Sequence, residues 1–247
     1  MNRIISYLFT FVVLLFVSLA VHAKDDITKK VIDLPDFSSI YLNSGYTVYL
    51  KQTNKQEVEV QVLTEVFEQT ELEVKDGVLH INIKRDESAG SKSFWAKMDK
   101  IKINPTMNIY ISMRRVNQLM VNGSGKIVSE NSINAPNLNL AVNGSGSMDL
   151  DIKGTTVKSE VTGSGDLSLK GYADNLNVTL GGSGNLKSFD FEILKANVKV
   201  MGSGKCEVHA SEEVDIKIYG SGTVAVKGNT KNLKQKIYGS GKVERSY

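Results

Sequence analysis

Val198-Lys199-Val200-Met201-Gly202-Ser203-Gly204-Lys205-Cys206 decides the fold of this chain. Its centre, Gly-Ser-Gly, recurs seven times, beginning at Gly123, Gly144, Gly163, Gly182, Gly202, Gly220 and Gly239. The intervals are 21, 19, 19, 20, 18 and 19 residues. A period near 20 residues is a solenoid signature, because each repeat is one structural unit stacked on the next. Two residues before each triplet stand Val121, Val142, Val161, Leu180, Val200, Ile218 and Ile237. Two residues after it stand Ile127, Met148, Leu167, Leu186, Cys206, Val224 and Val243, with mainly polar residues between these columns. Period-two alternation on both sides of a glycine turn reads as strand, turn, strand with one face inward; a 3.6-residue period would scramble the columns.

Each repeat is therefore expected to be one coil of a parallel β-solenoid. The fold class is all-β, with coils of about 19 residues set by the triplet spacing. Turns at Lys153-Gly154-Thr155, Lys170-Gly171-Tyr172 and Lys227-Gly228-Asn229 mark a second corner midway, and the serines are expected to stack as a row of hydroxyls. Upstream, Val58, Val60 and Val62 alternate with polar residues, and Asp76-Gly77 reads as a hairpin turn. Leu42-Asn43-Ser44-Gly45 looks like a degenerate triplet turn. Ile101 to Pro105 reads as another strand, and Asp86 to Lys100, containing Phe94-Trp95, as a loop. This divides the chain into a leader at 1–23, a β-rich part at 24–116, either irregular coils or a cap, and a seven-coil solenoid at 117–247.

The leader reading rests on Arg3, the apolar run from Ile4 to Leu19, and Val21-His22-Ala23 before charged Lys24-Asp25-Asp26. This is the layout of a cleaved secretory signal, so the mature chain is expected outside the cytoplasm, in the periplasm or at the cell surface. No membrane span is expected after cleavage. With 30 basic residues, 27 acidic ones and a net charge of +3, the chain lacks the basic footprint of a nucleic-acid binder. One cysteine excludes an internal disulfide and any cysteine-clustered zinc site.

An export signal, a β-rich segment reaching Ile-x-Ile-x-Pro, and repeated Leu-x-Val-x-Gly-Ser-Gly together resemble the DUF2807 family, the auto-transporter adhesin head GIN domain. The resemblance runs from about Ile32 to Val243. It implies a right-handed β-solenoid and a periplasmic or cell-surface adhesin role, and it brings no catalytic residues with it.

The residues themselves support little chemistry. Calcium-binding β-rolls need a nine-residue period and a recurring Asp, but the residues after the triplets are Lys126, Ser147, Asp166, Asn185, Lys205, Thr223 and Lys242. Gly-Ser-Gly-Lys lacks the phosphate-loop spacing and is followed by a strand. Glu207 and His209 share an outward face as a conceivable base and orienter, although a solvated pair is the plainer reading. Asp149, Asp151, Asp166, Asp174 and Asp190 are candidate acids for a polysaccharide-acting enzyme but form no evident column. Cys206 falls in an inward column, as core.

No metal, cofactor or catalytic residue is expected. The candidate ligand-binding residues stand just before the triplets: Asn122 and Asn143 at one end of the column, Tyr219 and Tyr238 at the other, with Trp95 as a further aromatic. Aromatic rings beside amides suit a glycan or a cell-envelope protein. The alternatives are an enzyme on a β-helix scaffold and a structural envelope scaffold that self-associates as a homo-oligomer.

Overall fold

The structure, a computed structural model, describes residues 27–84 and 106–246. The expected leader, the loop with Phe94 and Trp95, and the strand at 101–105 lie outside these residues. The N-terminal part contains β1 (Ile27–Ile32), β2 (Ser39–Leu42), β3 (Thr47–Gln52), β4 (Glu57–Leu63), α1 (Thr64–Phe67), β5 (Thr70–Lys75), β6 (Val78–Ile83) and β7 (Met107–Met113). The repeats follow as β8 (Gln118–Gly123), β9 (Lys126–Ser129), β10 (Ile133–Gly144), β11 (Ser147–Gly163), β12 (Asp166–Gly182), β13 (Asn185–Gly202), β14 (Lys205–Gly220), β15 (Thr223–Lys227), β16 (Asn232–Gly239) and β17 (Lys242–Ser246). All seventeen described strands belong to one sheet.

The repeats form the expected β-solenoid. β11 to β14 are each nearly a whole coil, broken only at Gly-Ser-Gly, while the coil before them is split into β9 and β10; β10 to β14 pair in parallel in order. Val121, Val142, Val161, Leu180, Val200 and Ile218 stack as one buried column; Ile127, Met148, Leu167, Leu186, Cys206 and Val224 form another. No coil could bury these side chains alone, so stacking is what makes the alternation stable.

Backbone contacts hold the triplet corner. Ser183 N–H donates to the Gly163 carbonyl at 2.8 Å and Ser203 N–H to the Gly182 carbonyl at 2.8 Å, and other coils repeat the bond. Gly182 has φ +112°, and a β-carbon there would stand 2.5 Å from the Gly163 carbonyl oxygen of the coil below. A β-carbon on Gly184 would stand 2.6 Å from both the Gly165 oxygen and a Val161 methyl. Coils this close leave no room for a side chain at either position. The serine N–H bond recurs at successive corners, and the serines are exposed; among the described residues their hydroxyls do not bond one another.

The midway glycines do not share one column. Gly154 is level with Ala173, whereas Gly171 is level with Ile152 and Phe191, two positions away. Gly171 and Gly228 take left-handed conformations, φ +106° and φ +98°, whereas Gly154 does not.

At the N-terminal end the stacking order departs from chain order. β2 pairs in parallel with β8 on one side and β6 on the other; β3 lies likewise between β9 and β7. The β2–β3 coil is thus inserted between coils that follow it in sequence. Asn43-Ser44-Gly45 does serve as its corner, with a β-carbon on Gly45 lying 3.6 Å from Ser124 Oγ. Buried Tyr46 follows that corner, its hydroxyl 2.6 Å from Thr70 Oγ1. Antiparallel strands close this end: β5 on β6, β4 on β7 and β1 on β4. At the other end, Gln235 and Arg245 are level with Ile216 and Val226. Polar groups at inward positions of a terminal coil oppose unwanted edge pairing.

Cys206 is buried between coils, and burial pushes its thiol well above the ordinary cysteine range. Since the thiolate is the reactive species, Cys206 should be inert in the native protein. An aromatic disulfide reagent should titrate no thiol natively and one per chain in guanidinium; fast native reaction would mean the coil opens there.

Candidate functional site

The residue before each triplet faces outward, and the register joins these residues into one column. From the N-terminal end it reads Asn82, Asn43, Asn122, Asn143, Thr162, Gly181, Met201, Tyr219 and Tyr238. Its two ends have different chemistry.

At one end the amides satisfy each other. Asn43 Nδ2 donates to Asn82 Oδ1 at 2.9 Å, Asn122 Nδ2 to Asn43 Oδ1 at 2.7 Å, and Asn143 Nδ2 to Asn122 Oδ1 at 2.9 Å. The sequence pointed to Asn122 and Asn143; the chain of amides is twice that long because β2 and β6 bring in Asn43 and Asn82. Such a run ties coil to coil and leaves fewer amide groups free for a ligand.

At the other end the aromatic rings stack. Tyr219 and Tyr238 lie with centroids 5.0 Å apart and planes at 8°, and they are 43% and 57% exposed. Lys199 Nζ stands 5.8 Å from the Tyr219 ring centroid, within cation–π range. Met201, 40% exposed, extends the apolar strip by one coil. Below it Gly181 leaves the column without a side chain; a β-carbon there would meet nothing nearer than 3.7 Å. Beside that gap is a shallow hollow of about 250 Å³, lined by Asn177, Thr179, Asn197, Lys199, Asp215 and Lys217. The structure therefore joins Tyr219 to Tyr238 but keeps Asn122 and Asn143 apart from them. Four rungs separate Asn143 from Tyr219, roughly 19 Å at about 4.8 Å per rung. Trp95 lies outside the described residues.

A second stacked pair escaped sequence reasoning. Tyr49 and Tyr110 lie at 5.0 Å and 14° on the face beyond the triplet corner. Each alternates with buried neighbours, Val48 and Leu50 or Ile109 and Ile111. The alternation marks both tyrosines as outward, but nothing local says that β3 and β7 are neighbours.

The candidate catalytic groups are not assembled. His209 Nδ1–H donates to the Phe189 carbonyl at 3.0 Å rather than to Glu207. The five aspartates form no column of acids: Asp151 and Asp190 are level only through Lys170, which stands between them. Asp166 Oδ1 accepts from Asn185 Nδ2 at 2.8 Å. Asp174 borders a hollow of about 420 Å³ with Tyr172, Glu192, Leu194 and His209. Among the described residues no three His, Cys, Asp or Glu are placed to hold a metal ion, and no helix is long and apolar enough to cross a membrane.

Comparisons with known proteins agree with this architecture. A crystal structure of a putative adhesin from Bacteroides fragilis superposes with a TM-score of 0.77 at 19% identity, covering 90% of this chain and 97% of the other. A putative adhesin from Parabacteroides distasonis gives 0.67 at 23% identity, covering 90% and 98%. A putative lipid binding protein from the same organism gives 0.71 at 21% identity, covering 91% and 98%. At these identities the likeness is one of fold. Among curated proteins none matches significantly. The family model for DUF2807, described as a putative auto-transporter adhesin, head GIN domain, matches residues 36–230, and the chain belongs to that family.

Proposed function

We propose that this protein is an exported, non-enzymatic adhesin-type binder that presents the Tyr219–Tyr238 platform to carbohydrate at the cell envelope. The observation that carries the reading is the exposed, coplanar ring pair, extended by Met201 as far as the gap at Gly181. Stacked tyrosines offer an apolar surface already held in place by the sheet, with hydroxyls at the rim, which matches the alternating apolar and polar faces of a sugar. Preorganisation matters because a rigid face loses little side-chain freedom on binding. The family membership and the adhesin-like neighbours support a binding role, and the leader-like sequence at 1–23 supports export. The lack of a joined nucleophile, base and orienter among the described residues gives the enzyme alternative no support.

A glycan array probed with residues 24–247 tests this. The protein should retain a defined set of glycans, and the Tyr219→Ala/Tyr238→Ala double variant should bind them at least tenfold more weakly. Two aromatic contacts at about 0.5–1.5 kcal/mol each set that scale, tenfold being about 1.4 kcal/mol. Its melting temperature should change by only a few degrees, because both side chains lie outside the core. Binding by the double variant at full strength would place the site elsewhere, the Tyr172–Leu194 hollow being next in line.

A further inference from the structure

A column of lysines runs beside the tyrosine platform. Lys199, Lys217 and Lys236 occupy the outward position two residues before Met201, Tyr219 and Tyr238, and they are in register on β13, β14 and β16. All three are exposed, and strand spacing sets their backbones about 4.8 Å apart from one coil to the next. Like charges directly across adjacent strands destabilise a sheet. Among the described residues none of the three has a carboxylate within ion-pair distance; Lys199 leans on the Tyr219 ring. The contrast with Lys234 is local: one column further out, it is held by Glu213 at 2.9 Å. From β8 to β16 the three outward columns of this face contain two acids, Glu160 and Asp215, and Asp215 borders the hollow next to Lys217.

Resting on the carbohydrate reading above, we infer that the ligand is an acidic polysaccharide, with uronate, sulfate or phosphate groups on the lysine column and sugar rings on Tyr219 and Tyr238. An extended polyanion is the partner that relieves three stacked, uncompensated ammonium groups at once. A neutral glycan would use the rings and leave that repulsion in place. With a net charge of only +3 the chain as a whole attracts a polyanion weakly, so binding should depend on these lysines and not on basic residues at large.

The test uses residues 24–247 with three immobilised polyanions, polygalacturonate, alginate and chondroitin sulfate, and with methyl-esterified polygalacturonate as the uncharged counterpart of the first. The expected result is at least tenfold tighter binding to one or more of the polyanions than to the ester, weakening between 50 and 150 mM NaCl. Lys199→Gln/Lys217→Gln/Lys236→Gln should abolish both the preference and its salt dependence, and the corresponding triple arginine variant should retain them. Lys187→Gln/Lys205→Gln/Lys242→Gln, an equal charge change beyond the triplet corner, should leave binding unchanged; loss there as well would mean diffuse ion exchange and overturn the inference. Equal, tyrosine-dependent binding of acid and ester would overturn the acidic ligand while keeping the carbohydrate reading. Binding of no polyanion alongside a neutral hit on the array would do the same. Silence on array and polyanions alike would remove both.

Discussion

Gly182→Ala is expected to lower the melting temperature by about 6–20 °C, while Gly181→Ala, one residue earlier, should leave it unchanged or raise it slightly. Gly182 sits at φ +112°, where an L-residue is strained by about 1–3 kcal/mol. Its new methyl would also lie 2.5 Å from the Gly163 carbonyl oxygen and 3.2 Å from that residue's carbonyl carbon and amide nitrogen. These are backbone atoms of the adjacent coil, so relief requires the corners to separate, breaking bonds such as Ser183 N–H to the Gly163 carbonyl. A total near 3–5 kcal/mol follows, and about 2–4 °C per kcal/mol for a chain of this size gives the shift. Gly181 faces solvent with no atom within 3.7 Å of a would-be β-carbon, and alanine there mainly restricts the unfolded chain, worth about 0.4–1 kcal/mol. Thermal melts of the two single variants decide it. Equal melting temperatures would mean that the glycines mark register without being sterically required.

That contrast also shows what a reader of the sequence can and cannot see. The pattern identifies Gly182 as part of the repeat and Gly181 as an accident of its column, because only the former recurs at each interval. Inward and outward faces follow from alternation, which is why the Val200 and Cys206 columns and the Tyr219–Tyr238 pairing were legible: residues 19 apart in a regular stack must be neighbours. The same reasoning fails wherever the offset is not one repeat. Tyr49 and Tyr110 are neighbours only because β7 stacks beneath β3 after the chain has passed through β4, α1, β5 and β6. Asn82 joins the amide run for the same reason. Gly154 and Gly171 follow the same Lys-Gly pattern yet lie two positions apart, although their two coils are equal in length and pair without a shift, so the Lys-Gly pair alone does not fix a register position. The lysines at 199, 217 and 236 were visible as polar residues between apolar columns; their mutual alignment without paired acids required the registers of β13, β14 and β16.

Unequal coil length has its largest consequence at Phe191. β13 carries five residues, 187–191, between positions where β14 carries only Glu207 and Val208, so its backbone bulges. The displaced carbonyls still need donors. Ser188 Oγ, fully buried, donates to the Glu207 carbonyl, and His209 Nδ1 to the Phe189 carbonyl at 3.0 Å. His209 thus fastens the bulge rather than serving a reaction. The interior of the bulge is filled by Phe191, which is 0% exposed and level with Gly171 of the coil below. Truncation to alanine should cost about 3–5 kcal/mol, the range for a phenylalanine whose surroundings cannot collapse into the space. Here they cannot, because inward movement of β13 would pull Ser188 and Phe189 from the partners that satisfy them. A solenoid transmits such damage only through neighbouring coils. Hydrogen exchange of Phe191→Ala should therefore accelerate in β12, β13 and β14 and stay near wild type in β2, β3 and β8. Uniform acceleration over the whole chain would mean that the coils melt as one unit and that the bulge is not an independent weak point.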